Sequence, residues 1–124
     1  LRDSAADSLI EFEQASIYDL PFEDGSFDLV VCCEVLEHLE RPGEGLGEIC
    51  RVARNHVLVS TPREPLWRAM NMARGKYLSD LGNTPGHVQQ FSKDGLMRLV
   101  STRAKIVETR HPIPWTVVLA KPLR

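Results

Sequence analysis

Residues 27–39 constrain this chain more than any other stretch: they read Phe-Asp-Leu-Val-Val-Cys-Cys-Glu-Val-Leu-Glu-His-Leu. Residues 29–33 form an apolar run with two β-branched valines, which is how a strand buried on both faces of a parallel sheet reads. Glu34, Glu37 and His38 follow at once. A helical turn beginning at Glu34 places positions i, i+3 and i+4 on one face, so two carboxylates and an imidazole converge. Ligands in open α/β sheets bind in the crevice outside the carboxyl ends of the strands. A core strand handing over to acids and a histidine is therefore a candidate site.

The flanking sequence supplies alternating strands and helices. Residues 2–8 read as the tail of a helix, and residues 9–16 alternate apolar and polar (Ile10, Phe12, Ala15) as a short strand does. Glu23-Asp24-Gly25-Ser26 is a turn. Pro42 suits the first turn of a helix, and Leu46, Ile49, Cys50 and Ala53 recur at amphipathic spacing. Residues 56–60 read as a second buried strand, residues 65–77 as a helix and residues 79–87 as a loop. Ser92 is a good N-cap for a helix to about residue 102. Residues 105–109 and 115–120 close the chain as strands. The pattern predicts one α/β sheet with no repeat or interdomain linker.

Composition narrows the class of function. No apolar stretch approaches the ~18 residues of a membrane span, and no signal-peptide core follows Leu1-Arg2-Asp3. Cys32, Cys33 and Cys50 lack Cys-x-x-Cys spacing, which fits a reduced, cytoplasmic protein with cysteines used as small hydrophobes. Residues 1–48 carry thirteen acids and two arginines, whereas residues 49–124 carry four acids and thirteen Lys or Arg. Two halves attracting each other is one account of that asymmetry. The other is a basic surface around Arg51, Arg54, Arg63, Arg68, Arg74 and Lys76 for an anionic substrate. No aromatic interleaving suggests base stacking, so nucleic acid is not favoured.

Three strings in order, Asp19-Leu20-Pro21-Phe22, Phe27-Asp28-Leu29-Val30-Val31 and Leu36-Glu37-His38-Leu39, resemble consecutive signatures of class I S-adenosylmethionine-dependent methyltransferases. The longer Glu34-x-x-Glu37-His38 is similar to ubiquinone-biosynthesis (type 11) O-methyltransferases and to small-RNA 2′-O-methyltransferases. The resemblance covers residues 10–121 and implies a Rossmann-like α/β sheet of strand order 3-2-1-4-5-7-6 with the last strand antiparallel. On that template residues 1–124 are a single partial methyltransferase domain holding the third to seventh strands, with the first two strands absent. A chain opening in mid-pattern is expected to be a piece of a longer protein or a shortened one. The strand over residues 9–16 must then pair with the strand over 27–33, pair with another chain, or stay loose. An open strand edge invites pairing, so a dimer or strand-swapped assembly is expected.

The resemblance also assigns roles. Asp19 accepts from the adenine amino group of S-adenosylmethionine, the Leu20 N–H meets the adenine ring, and the Cys33 backbone lines the methionine part. His38 is the catalytic base, supported by Glu37, and the methyl acceptor is an oxygen of a small molecule. Glu34, Glu37, His38 and His87 form a candidate set for Mg²⁺, Mn²⁺ or Zn²⁺. The same string also occurs in metal-free relatives, where His38 acts alone. Arg63, Trp67 and Arg74 are candidates for a substrate lid. The family's Gly-rich cofactor loop and the acid after its second strand are not found. Gly43-x-Gly45-x-Gly47 imitates that loop but follows Pro42 rather than a strand, and reads as loop with a weak helix start. Ala53-Arg54-Asn55-His56 replaces the usual Lys-Pro-Gly-Gly. Two alternatives stand beside this reading: a non-catalytic oligomerisation remnant, and an RNA 2′-O-methyltransferase.

Overall fold

The computed structural model describes residues 9–124. The helix tail expected over residues 2–8 lies outside them. Strand β1 (Phe27–Cys33) is followed by a 3₁₀ turn (Leu36–His38), helix α1 (Pro42–Val52) and strand β2 (Ala53–Pro62). Helix α2 (Leu66–Ala73), helix α3 (Lys93–Ser101) and strands β3 (Ala104–Arg110) and β4 (Trp115–Pro122) complete it. The sheet order is β1-β2-β4-β3. β1 and β2 are parallel, while β4 runs antiparallel to both β2 and β3. This is the 4-5-7-6 portion of the expected order, with its closing strand antiparallel as expected.

One face of the sheet carries the core. Leu46, Ile49 and Cys50 of α1 and Leu96 and Val100 of α3 pack on Cys32, Val57, Val59, Val118 and Ala120, all buried. Fully burying side chains of this size stabilises by ~1.5–3 kcal/mol each. The Cys32 and Cys50 thiols are pushed up to about 12 and about 11, burial being the main cause, so both remain protonated hydrophobes. Ser92 caps α3 by accepting from the Gly95 N–H at 3.1 Å. Helix α1 begins at Pro42, so the glycine triplet lies inside a helix instead of a loop. Gly45 is buried there, and a Cβ on it would sit 2.7 Å from Leu39 Cδ1. The glycine permits close packing and cradles no phosphate.

Two expectations fail. Residues 9–16 form no strand: Phe12 is 91% exposed, and Ser16 makes only an isolated bridge to Asp19. An alternating segment becomes a strand only when its backbone finds a partner, and residues 9–15 pair with none of the described strands, the open edge of β1 included. β1 is also not buried on both faces. Val30 and Cys32 face the core, paired with the buried Val57 and Val59, whereas Leu29 and Val31 are 51% and 56% exposed. No layer covers that second face among the described residues.

A clasp on α1 fixes the chain ahead of β1. Arg51 donates to both carboxylate oxygens of Glu48, to Asp24 and to the carbonyls of Leu20 and Phe22, at 2.8–2.9 Å. Glu48 in turn accepts the Leu20 N–H at 2.9 Å. The Arg51 hydrogen bond, followed by the Leu20 amide, holds the Glu48 carboxyl down at about 2 against an ordinary 4.5. A depressed carboxyl pKa contributes stability that is complete above the unfolded value and is lost as pH falls through the folded one. The thermal midpoint of the wild type should therefore exceed that of Glu48→Gln above pH 4.5, and the gap should close between pH 4.5 and 2. A gap independent of pH removes the ion pair from the account.

Candidate functional site

The carboxyl ends of β1 and β2 lie side by side, and the chain leaves β1 through Glu34 at φ 57. A left-handed backbone is uncommon outside glycine and marks over-determined positions. Three bonds hold Glu34 there. Its N–H donates to the Ser60 carbonyl at 3.0 Å, and its carboxylate accepts from Ser60 Oγ at 3.0 Å and Trp115 Nε1 at 3.1 Å. The helical turn starts after it, at Leu36. Glu34 therefore does not share a face with Glu37 and His38.

What the turn does bring together is Glu37, His38 and His87, whose ligand atoms all lie within 4.8 Å of one another. Leu36 and Glu37 are buried, with Glu37 only 2% exposed, while His38 faces solvent. Neither carboxylate oxygen of Glu37 has a hydrogen-bond partner. Burial, with the nearby Glu34 charge adding to it and His38 opposing, pushes the Glu37 carboxyl up. Burial and then the charge of His38 push His87 down, which keeps its imidazole neutral at physiological pH. The two imidazoles meet edge to face, 4.8 Å between centroids.

The loop over residues 78–91 arrives because α2 anchors it. Buried Asn71 donates to the Gly82 carbonyl at 2.8 Å, and Arg68 reaches the Leu81 carbonyl and Gln90. Gly82 has φ +78, and a Cβ there would lie 2.2 Å from the Arg68 carbonyl oxygen, so only glycine fits. The Gln89 N–H donates to the Glu37 carbonyl at 2.8 Å. Gly86, at φ +87, presents its own carbonyl to His38 Nδ1 at 2.7 Å. A carbonyl only accepts, so Nδ1 carries the proton and Nε2 of the neutral ring keeps its lone pair. Asn71, Gly82 and Gly86 are invisible as site residues from sequence. The only signal was the glycine-rich loop ahead of His87.

A cleft of about 310 Å³ opens beside the histidines, lined by Glu34, Ser60, Trp67, Pro112, Trp115 and Val117. Trp67 donates its indole N–H to Thr84 Oγ1 at 2.8 Å. Its ring lies 6.5 Å from His87 and 6.1 Å from Trp115. Of the expected lid residues, Trp67 lines this cleft, whereas Arg74 is turned to Asn71 Oδ1 at 2.6 Å. Arg51 and Arg54 pair with Asp24 and Asp28 of the acidic first part, and Arg68 holds the loop. Part of the charge asymmetry thus acts within the fold. Asp19 is exposed, and the Leu20 N–H is engaged by Glu48. Cys33, also exposed, pairs with Ser60 at the end of the ladder.

No helix among the described residues is long and apolar enough to cross a membrane. A methyltransferase-domain family model matches residues 1–60. A demethylmenaquinone methyltransferase of Clavibacter sepedonicus is 39% identical over 72 residues, which are 54% of this chain and 29% of that protein. The chain therefore spans under a third of that relative. Among solved structures, a methyltransferase of Thermotoga maritima, described as a possible histamine N-methyltransferase, aligns with TM-score 0.68 at 17% identity. That alignment covers 96% of this chain and 67% of the other. Magnesium protoporphyrin IX methyltransferase of Synechocystis, solved with bound SAH, aligns with TM-score 0.61 at 16% identity, over 88% of this chain and 49% of the other. At such identities the likeness speaks for the fold, while the family match covers the stretch that holds all three signature strings. The chain thus shares a methyltransferase-domain match over residues 1–60 and, over nearly its whole length, the fold of S-adenosylmethionine-dependent methyltransferases.

Proposed function

We propose that this chain forms the acceptor side of a methyltransferase that moves a methyl group to an oxygen of a small molecule, with His38 as general base. The observation that carries this is the Gly86 carbonyl on His38 Nδ1 at 2.7 Å. It sets the tautomer, so Nε2 is free to take the proton of an acceptor hydroxyl. His87, held neutral beside it, does not compete as a cation. S-adenosylmethionine fits the residues present in part. Asp19 keeps an exposed carboxylate for the adenine amino group, and Cys33 offers main chain at the strand end. The Leu20 N–H fits only if the Glu48 clasp yields. When bound, the cofactor supplies an electrophilic methyl group. The protein orients the acceptor and accepts its proton, contributions worth ~10²–10⁴ for the proton alone. In the complete enzyme, His38→Ala is expected to lower turnover by that factor and to leave S-adenosylhomocysteine affinity within about twofold. Unchanged turnover removes His38 from the mechanism.

A metal-assisted version is favoured by one observation, the buried Glu37 carboxylate whose oxygens have no partner. A buried polar group is costly unless bonded. With His38 and His87 it makes a set of one carboxylate and two imidazoles that suits Zn²⁺ or Mn²⁺ better than the oxygen-rich set including Glu34. A bound ion would acidify an acceptor hydroxyl. His38 Nε2 cannot be both ligand and base, so the two versions are separable. Calorimetric titration with Mn²⁺ should show one site that Glu37→Gln abolishes; no heat of binding leaves the metal-free version.

The assembly belongs to the same reading. The edge of β1 that does not face β2 is open among the described residues, and the exposed Leu29 and Val31 lie on the face next to it. Unpaired edges of this kind recruit another strand. Light scattering of the chain should give a mass above that of a monomer. A strictly monomeric mass would remove the pairing.

A further inference from the structure

The acceptor-side cleft has an unusual wall composition for a pocket that only needs to hold a neutral ring. Two indoles, Trp67 and Trp115, face it with centroids 6.1 Å apart and planes tilted by 46°. That angle leaves a wedge between them rather than a stack. Glu34 is the single charged residue of the lining, joined by Ser60, Pro112 and Val117, with no Lys or Arg. Its carboxylate is oriented by Ser60 Oγ and Trp115 Nε1 at 3.0 and 3.1 Å. An ionised carboxylate has about four lone-pair sites, so these two donors leave acceptor capacity on the cleft side. The left-handed backbone of Glu34 (φ 57) is what turns its side chain toward β2 and β4 instead of along the 3₁₀ turn.

From this geometry we infer that the cleft binds an organic ammonium group on an apolar or aromatic body, held by the Glu34 carboxylate and the faces of Trp67 and Trp115. Cations are attracted to the faces of indoles, most strongly where water is excluded. The carboxylate supplies the complementary charge, and an anion meets only repulsion there. This rests on the acceptor-side reading above and deepens it. Ring centroids run from Trp115 to Trp67, His87 and His38 in steps of 6.1, 6.5 and 4.8 Å. A small acceptor with its ammonium group at the Trp115 end thus extends toward the histidine pair, which is where its reacting hydroxyl belongs. Glu34 is then a binding residue that sets the charge of the substrate and takes no proton.

The test titrates the 124-residue chain with three probes of similar shape: phenethylammonium, phenylpropanol and hydrocinnamate. Binding is read by tryptophan fluorescence and by calorimetry. The cation should bind about tenfold tighter than the neutral probe, with the anion weakest. Glu34→Gln keeps the size of the side chain and should abolish the preference while holding the neutral probe within about twofold. Equal binding of all three probes, no binding of any, or a preference that survives in Glu34→Gln overturns the inference. If the variant fails to fold, as circular dichroism will show, the wild-type ranking alone decides. S-adenosylhomocysteine is titrated separately. Ammonium binding retains this cleft whether or not the nucleoside binds, since this chain holds only part of the cofactor-binding elements, and nucleoside binding without ammonium binding sinks the cleft alone.

Discussion

The parallel pairing of β1 with β2 is the constraint on which the rest depends. Parallel neighbours need a crossover connection, here the 3₁₀ turn and α1, and their carboxyl ends then lie at the same end of the sheet. Cys33 is in register with Ser60, so Glu34, the residue after β1, opens onto the space beside Ser60 where the β1–β2 ladder ends. Glu34 occupies one side of that space and bonds across to Ser60, while β4 arrives antiparallel with Trp115 at its start. An antiparallel β1 would have separated these groups by the length of a strand. Site chemistry is thus a consequence of topology before it is a matter of side chains.

Two buried polar residues near the site show opposite uses of burial. Asn71 is 1% exposed and bonded by both ends of its amide, to the Gly82 carbonyl and from Arg74. It ties the loop over residues 78–91 to α2 and costs little, because its bonds with water are replaced. Glu37 is equally buried, and its carboxylate oxygens have no partner. Leaving such a group unbonded costs ~1–3 kcal/mol or more when it is charged. The raised carboxyl pKa is the response expected of that environment: the group can hold its proton. Protonation and cation binding are two answers to the same deficit, which is why Glu37 connects both versions of the chemistry. Asn71 answers a structural demand and Glu37 leaves one open.

Most of the architecture was legible in the sequence where the signal was local. The apolar runs over residues 29–33 and 56–60, the Pro42 start and the Ser92 cap all lie within the elements observed. Residues 9–16 misled because alternation records which side chains could face a core, and carries no information on whether the backbone docks on a strand edge; here it leaves the edge of β1 unpaired. β1 misled in the same way, since an apolar run is written for two covering layers and the described residues supply one. Of the two accounts of the basic residues, attraction between the two parts of the chain is the one Arg51 and Arg54 follow, through Asp24 and Asp28. Arg51, Arg54, Arg68 and Arg74 each have partners within the chain, reached through tertiary contacts that spacing along the sequence does not encode.

The sharpest departure concerns Glu34, and it comes down to one backbone dihedral. Spacing of i, i+3 and i+4 predicts a shared face only if the helical turn is continuous from the first residue. A φ of 57 at Glu34 interrupts it, and the turn restarts at Leu36. The two carboxylates thereby enter different environments. Glu34 is exposed, oriented by two donors and set against indole faces; Glu37 is buried beside two imidazoles. Pairs of acids placed in contrasting surroundings commonly divide the work of a site between them. On the proposed reading Glu34 would hold the acceptor while Glu37 sits beside the imidazoles that would take its proton, a division that could not be read from a motif in which both residues are simply Glu.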